Sequence, residues 1–404
     1  MRIGIYLKES IPERGGSYTF ETQILEAFLN LSAQSKHSFI VLNSVPQNFP
    51  QKSQNVSFLA ASKGNHNPTA QYFKPRAVDE IKKVAPFLQA VRSKKRLRSQ
   101  NQLAKNLELN LIWSIVPGVY TADIPYITPI FDLQHRLQPY FPEVSRDGEW
   151  EKRESSIAPL VSRAMTILTG TEVGKAEIER FYDVPSERIR VIPFPPPTFS
   201  KENSDENSDK ILEKYKLPER YLLYPAQFWP HKYHANLLLA FFQLMNEYDL
   251  SVSIVFVGAD KGNLSYLQAL VNRYDLSEQI KLLGFVPRTD LGLLYRRAIA
   301  LTFVSFFGPD NLPPLEAFSQ GCPVIAANVP GAQEQLGNAA KLVDPKSATE
   351  ISIAIKDFWQ QDELRQDYIK RGFQRAAQWS AQDYVQQVFQ VFDDLEPILS
   401  CWQV

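Results

Sequence analysis

The sequence predicts an α/β protein of two halves, each a parallel sheet covered by helices, and three observations predict it. Short apolar runs alternate with amphipathic stretches along the 404 residues, the pattern of strand–helix–strand crossovers. The series is interrupted once, by Pro193-Phe194-Pro195-Pro196-Pro197 and then the polar, acidic segment Ser200–Asp209, a composition that suits a linker. The length is that of two or three ordinary domains, and 44% hydrophobic residues is the share of a normal globular chain.

Taken in order, the first half opens with a strand over Arg2–Leu7, a turn at Gly15-Gly16 and an amphipathic helix over Thr19–Ala33. Strands follow at His37–Leu42 and Val56–Leu59, a helical stretch at Val78–Leu107, and strands at Leu109–Ser114, Tyr126–Asp132 and Thr166–Thr169. A helix runs from about Glu172 to Tyr182, with Thr169 and Glu172 spaced as a capping box, and Ile189–Ile192 closes the half. After the linker, strands are expected at Tyr221–Ala226, Val252–Val257, Ile280–Leu283, Ile299–Val304 and Pro323–Ala326. Helices are expected at Ala235–Glu247, Leu264–Tyr274, Asp290–Arg297 and Ala348–Gln361, and a long one leads from Trp379-Ser380-Ala381 to about Leu399.

Composition excludes several classes. Lys+Arg and Asp+Glu number 44 each, so no global field draws in nucleic acid. Two cysteines, Cys322 and Cys401, do not make a disulfide framework and suit a reducing compartment. The first apolar run ends at Lys8-Glu9, too short for a secretory segment, and no run reaches the length of a membrane span. A cytoplasmic protein is therefore expected. The one basic cluster, Arg92-Ser93-Lys94-Lys95-Arg96-Leu97-Arg98 behind Val84, Phe87, Leu88 and Val91, fits either a solvated helix face or a peripheral contact with an anionic membrane.

Chemistry concentrates in Ser305–Ala326. Asn311 suits a helix cap, Pro313 or Pro314 its first turn, Gly321 its end, and Cys322–Ala326 a buried strand. A helix start offers backbone N–H groups to an anion. Glu316 stands at that same mouth. A carboxylate there can be an ordinary first-turn acid, or it can accept both hydroxyls of a ribose. A second group follows the first strand of the second half, Tyr224-Pro225-Ala226-Gln227-Phe228-Trp229-Pro230-His231-Lys232-Tyr233-His234. Loops at the carboxyl ends of parallel strands hold ligands, and Lys232 stands in this one. His231 and His234 lack acidic or Cys partners at ligand spacing, so no metal is expected.

These segments resemble the retaining GT-B glycosyltransferases of family four, the glycosyl transferases group 1. That family carries Glu, seven residues, then Glu-Ala; Glu316-Ala317 matches the second pair, and Gly308 stands where the first Glu would be. The resemblance implies two Rossmann-like domains with parallel sheets facing across a cleft, and a C-terminal helix crossing back to the first domain. The boundaries so expected are 1–196 for an acceptor-side domain, 211–378 for a donor domain and 379–404 for the helix. It also implies a hexosyltransferase that needs no metal or other cofactor. The donor is a nucleotide-diphosphate sugar and the acceptor a glycan or lipid-linked sugar, as in polysaccharide biosynthesis. Transfer is front-side, with retention.

By the same resemblance Glu316 holds the donor ribose, Asp310, Asn311 and Leu312 wrap the sugar, and Lys232 neutralises the diphosphate, with Gln227 where the family has Arg. Gly15 and Gly16 lie near the donor phosphates or the acceptor, Val286 sits in the stretch that reads the base, and Trp379-Ser380 leads into the crossing helix. Phe131-Asp132-Leu133-Gln134-His135 matches a His-Asp-Leu turn facing the donor sugar, which makes Asp132 and His135 catalytic candidates; a structural role for His135 fits the residues equally. The departures at Gly308 and Gln227 leave open a degenerate sugar-binding protein, and the fold also hosts epimerases and phosphorylases.

Overall fold

A computed structural model describes residues 1–8, 16–42, 55–59, 98–199 and 205–401. Among the described residues thirteen strands form two sheets whose described pairings are parallel. The first has seven strands in the order β3-β2-β1-β4-β5-β6-β7: β1 Arg2–Tyr6, β2 Ser38–Val41, β3 Val56–Phe58, β4 Leu111–Ser114, β5 Tyr126–Pro129, β6 Thr166–Thr169 and β7 Ile189–Val191. The second has six in the order β10-β9-β8-β11-β12-β13: β8 Leu222–Pro225, β9 Ile254–Val257, β10 Ile280–Leu282, β11 Ala300–Phe303, β12 Val324–Ala327 and β13 Ala340–Val343. Both orders reverse next to the first strand of their half, the doubly wound arrangement with its ligand side at the strands' carboxyl ends. Inner strands such as β4 and β11 are buried at every residue, which is why they read as unbroken apolar runs rather than alternating ones.

The chain divides into two compact units. The first comprises Met1–Pro129, Leu160–Leu168 and the chain from Val385. Its helices include α1, Gly16–Leu31. The second comprises Ile130–Pro159 and Thr169–Tyr384. It carries α2 Gln134–Leu137, α3 Pro142–Ser145, α5 Glu172–Tyr182 and α6 Asp205–Tyr215, with most of α4 Glu149–Arg163. The rest of its helices are α7 His234–Tyr248, α8 Leu264–Arg273, α9 Arg288–Arg297, α10 Leu312–Ser319, α11 Ala332–Leu336, α12 Ala348–Gln360 and α13 Asp362–Ala376. The last helix, α14 Ala381–Leu399, adds aromatic residues to the first unit. Phe389 stacks on Phe39 at 5.7 Å and 19°, and the Phe392 ring lies 5.8 Å from Trp113. Lys36 and His37 reach Asp393, and Lys36 also pairs with Glu396.

Several local expectations need correction. The segment expected to be linker to Asp209 is helical from Asp205. The cap of α5 is Thr171, whose hydroxyl accepts from Gly174 N at 3.1 Å, rather than Thr169, which ends β6. Helices α2, α3, α4, α11 and α13 and strand β13 were not expected from the sequence, because short or strongly polar stretches carry little periodic signal. Residues 98–106 are helical; the rest of the expected Val78–Leu107 helix, the basic residues 92–97, and Val84, Phe87, Leu88 and Val91 lie outside the described residues. Gly15 and residues 200–204 of the linker also lie outside them. Among the described residues no helix is long and apolar enough to cross a membrane.

Candidate active site

The loop after β8 is held by its own backbone and by aromatic packing. Pro230–Lys232 makes a 3-10 turn, and Tyr233 adopts a left-handed conformation (φ 57°) that directs the chain into α7. His234 is fully buried against Tyr224, Phe228 and Phe256, and burial pushes its imidazole down to about 3. It is a neutral core residue. Gln227 Oε1 accepts from Trp229 Nε1 at 3.0 Å, so the residue at the family's Arg position orders the loop and adds no charge.

Lys232 is half-buried. Its Nζ donates to Ser305 Oγ at 3.4 Å and lies 5.1 Å from the centre of the Phe303 ring. Burial lowers the ammonium to about 8, although Asp132 and Glu143 favour its charge. The Lys232 carbonyl accepts from the Tyr224 hydroxyl. Phe306 N donates to His231 O at 2.8 Å, and the His231 ring stacks on Phe307 at 4.1 Å and 9°. The lysine loop and the Ser305–Glu316 loop are therefore stitched into one structure within the second unit.

That second loop enters α10. Leu312 is its first residue, Pro313 and Pro314 lie in its first turn, and Gly321 (φ 71°) follows its end. Asn311 occupies the capping position but its side chain does not cap: Nδ2 donates instead to Gly308 O at 2.8 Å. Gly308 has φ 127°, and a Cβ there would meet the Asn311 amide at 2.6–2.7 Å. Glycine at this position is thus required by the loop's own shape. A small cavity under the loop is lined by Gly308, Asn311, Pro314 and Gln335, among others.

Glu316 is buried as the fifth residue of α10. Tyr295 Oη donates to Oε2 at 2.9 Å and Arg288 Nη1 to Oε1 at 3.3 Å. Arg288 also donates to Thr198 O and lies over the Phe199 ring at 4.3 Å. Each carboxylate oxygen keeps a further lone pair for a ligand. Arg288 and Tyr295 are residues that sequence reading missed; nothing at their spacing points to Glu316. Val286 is buried, while its neighbour Phe285 stands 66% exposed at the β10–α9 turn.

Asp310 packs its carboxylate against the backbone of Gly170, where an added Cβ would lie 2.3 Å away. Burial, with Glu334, Glu177 and Asp132 around it, raises Asp310 to about 8, and Glu177 is raised to about 7 by burial and by Asp132. Asp310 is therefore mostly protonated at neutral pH. Asp132 is partly exposed, accepts from Gln134 N at 3.1 Å and lies 3.7 Å from Arg153 Nη1. His135 has no exposed surface. Its Nε2 is 3.1 Å from Glu154 Oε2, its carbonyl accepts from Trp150 Nε1, and burial lowers its imidazole. His135 is thus packed inside the turn that carries Asp132. Gly16 begins α1 in the first unit.

Among the described residues one group has metal-ligand spacing, His37, Asp393 and Glu396. Lys36 already pairs with both carboxylates, so the donor set does not fit a bare cation. Neither His231 nor His234 belongs to such a group.

Residues 205–375 match the family model of the glycosyl transferases group 1. The chain is 29% identical over 282 residues to the O-antigen chain mannosyltransferase B of Escherichia coli, covering 67% of this chain and 74% of that protein. It is 30% identical over 200 residues to the O-antigen chain mannosyltransferase RfbU of Salmonella typhimurium, covering 50% and 52%. Among solved structures, HepE of Anabaena in complex with UDP and glucose aligns with a TM-score of 0.67 at 16% identity, over 98% of this chain and all of that one. WaaG, a glycosyltransferase involved in lipopolysaccharide biosynthesis, aligns with a TM-score of 0.62 at 14% identity, over 96% and 99%. The segment that matches the group 1 glycosyl transferases spans Lys232, the loop after β11 and Glu316, and with two parallel sheets of this order the chain is a glycosyltransferase of GT-B fold.

Proposed function

We propose that the protein transfers a hexose, mannose in the first instance, from a nucleotide-diphosphate sugar to a growing glycan or lipid-linked acceptor. Transfer proceeds with retention and without a metal. The observation that carries the donor reading is the stitched pair of loops after β8 and β11. In them a lysine of lowered basicity stands beside Ser305, in the loop that leads to α10 and its buried Glu316. A fixed ammonium beside a leaving diphosphate stabilises the charge that develops on it, as electrostatic catalysis requires. The raised Asp310 fits this role, because a protonated carboxyl does not repel the diphosphate and can donate to it or to the sugar. Mannose is suggested by the two relatives named above, and retention by the resemblance of Glu316 and its loop to family four. A cytoplasmic location, resting on the cysteine usage, and a peripheral membrane contact, resting on the composition of Arg92–Arg98, are part of the proposal.

The test is release of free nucleoside diphosphate from a panel including GDP-mannose, UDP-glucose and UDP-galactose, with lipid-linked glycan acceptors and excess chelator. Turnover that persists in chelator, with an α-linked product by NMR from an α-linked donor, is expected. Loss of transfer in chelator, restored by a divalent ion, overturns metal independence. An inverted anomeric centre overturns retention. A second reading, a sugar-binding protein without turnover, is favoured by Gly308 and Gln227, and donor binding without diphosphate release selects it.

A further inference from the structure

We propose that Glu143 belongs to the sugar-binding site and accepts a hydrogen bond from a hydroxyl of the transferred sugar. The residue lies outside the segment matched to the family, 88 positions before the loop it serves. The inference rests on the nucleotide-sugar reading given above.

The short helix α3 places Glu143 in its first turn, where the side chain is 4% exposed. One carboxylate oxygen is fully used: Oε1 accepts from His231 N at 2.8 Å and from His231 Nδ1 at 2.5 Å. The other, Oε2, is buried and has no hydrogen-bond partner among the described residues. A carboxylate oxygen withdrawn from water without a donor is costly, so such an atom marks the place of an absent partner. Burial raises this carboxyl, but bonds from His231 and from its own backbone amide outweigh that and hold it below its usual range, so it is ionised at neutral pH.

A carboxylate only accepts, so the absent partner is a donor. A phosphate oxygen is excluded by charge. Lys232, the nearby cation, directs its Nζ to Ser305 Oγ. A neutral hydroxyl suits such an atom. The sugar of the donor is bonded to the diphosphate that Lys232 neutralises, and Glu143 grips the residue next to that lysine. The two groups are thus placed to read the two ends of one glycosyl diphosphate. The site is held rigidly: the Phe141 ring lies 5.2 Å from Phe306 and 5.6 Å from Phe307, and Phe307 stacks on His231. Rigid placement of this kind is what a hydroxyl-reading acceptor needs.

Because Glu143 also fixes the Lys232 loop, the informative quantity is a ratio of affinities. Calorimetric titration of the full chain with GDP and GDP-mannose, and with UDP and UDP-glucose, identifies the pair the wild type binds. The same pair is then titrated into E143A, or into E143Q should E143A not fold by circular dichroism. The affinity of the sugar nucleotide relative to the bare diphosphate is expected to fall about tenfold or more, the size of a lost bond to a charged group. A ratio within twofold of wild type leaves Glu143 as a support for the loop and overturns the proposal. Should the wild type bind neither pair, it is the nucleotide-sugar reading that fails.

Discussion

At the residue scale, burial shifts the charges of Lys232 and Asp310 against the pull of their neighbours or with it. Lys232 illustrates the sign. Its ammonium is lowered to about 8 because the folded chain withdraws it from water, so the folded protein loses that charge as pH rises through about 8, well before an unfolded lysine would. The burial penalty is full below that pH and gone above the ordinary lysine value, so deprotonation relieves the fold while it harms anion binding. Diphosphate affinity should therefore weaken progressively from pH 8 to 9.5 in the wild type and stay flat in K232A, by calorimetry in salt of fixed strength. A wild-type curve as flat as the variant's removes Lys232 from the diphosphate. Asp310 has the opposite sign. Its carboxyl is raised to about 8, so the fold is favoured by the protonated form and penalised increasingly as pH climbs from about 4 to 8. D310N should melt higher than wild type, with a gap that widens from pH 5 to 8.5; a gap independent of pH contradicts the burial of that charge. For Glu316, loss of a charge-assisted contact to the ribose predicts a donor affinity lower by about 1.5–3 kcal/mol in E316A, and E316A binding like wild type places the ribose elsewhere.

At the scale of elements, the loop before α10 and the last helix carry the most specific expectations. Gly308 sits at φ 127° under the Asn311 amide, so the glutamate that family four has at this position does not fit this loop. G308E should weaken donor binding and cost about 1–3 kcal/mol of stability through left-handed strain. A variant that melts like wild type and binds donor more tightly contradicts this account. Helix α14 docks by its aromatic residues. Phe392, fully buried beside Phe39 and Trp113, predicts a loss of about 3–5 kcal/mol for F392A in urea unfolding; a loss under 1 kcal/mol denies the helix its place in the first core. The alternation of apolar strands with helices was legible along most of the chain, because buried parallel strands and amphipathic helices leave periods that survive in one dimension. Helices α2 and α3 were not: four-residue helices are held by what they pack on, and Phe141 with Val144 says nothing by spacing alone.

At the scale of the whole molecule, all the contacts that build the candidate site lie in one compact unit, which takes residues 130–159 from among the strands of the first sheet. Hydrogen exchange with a bound nucleoside diphosphate should accordingly slow amides in 222–232 and 305–316, with β1 and β4 unchanged. The sequence by itself determined the two parallel sheets and the loops bearing Lys232 and Glu316, because each is written in consecutive residues: apolar runs and a helix between prolines and a glycine. Only the tertiary structure decided what those residues meet. It buried His135 and seated it on Glu154, turned Asn311 away from the helix end toward Gly308, set Arg288 and Tyr295 on Glu316, and carried Glu143 across 88 positions to His231. Such partners come from different strands and loops. A single sequence records each side chain but not its distance to another, and burial, which shifts Lys232 and Asp310, is a property of the packed chain alone.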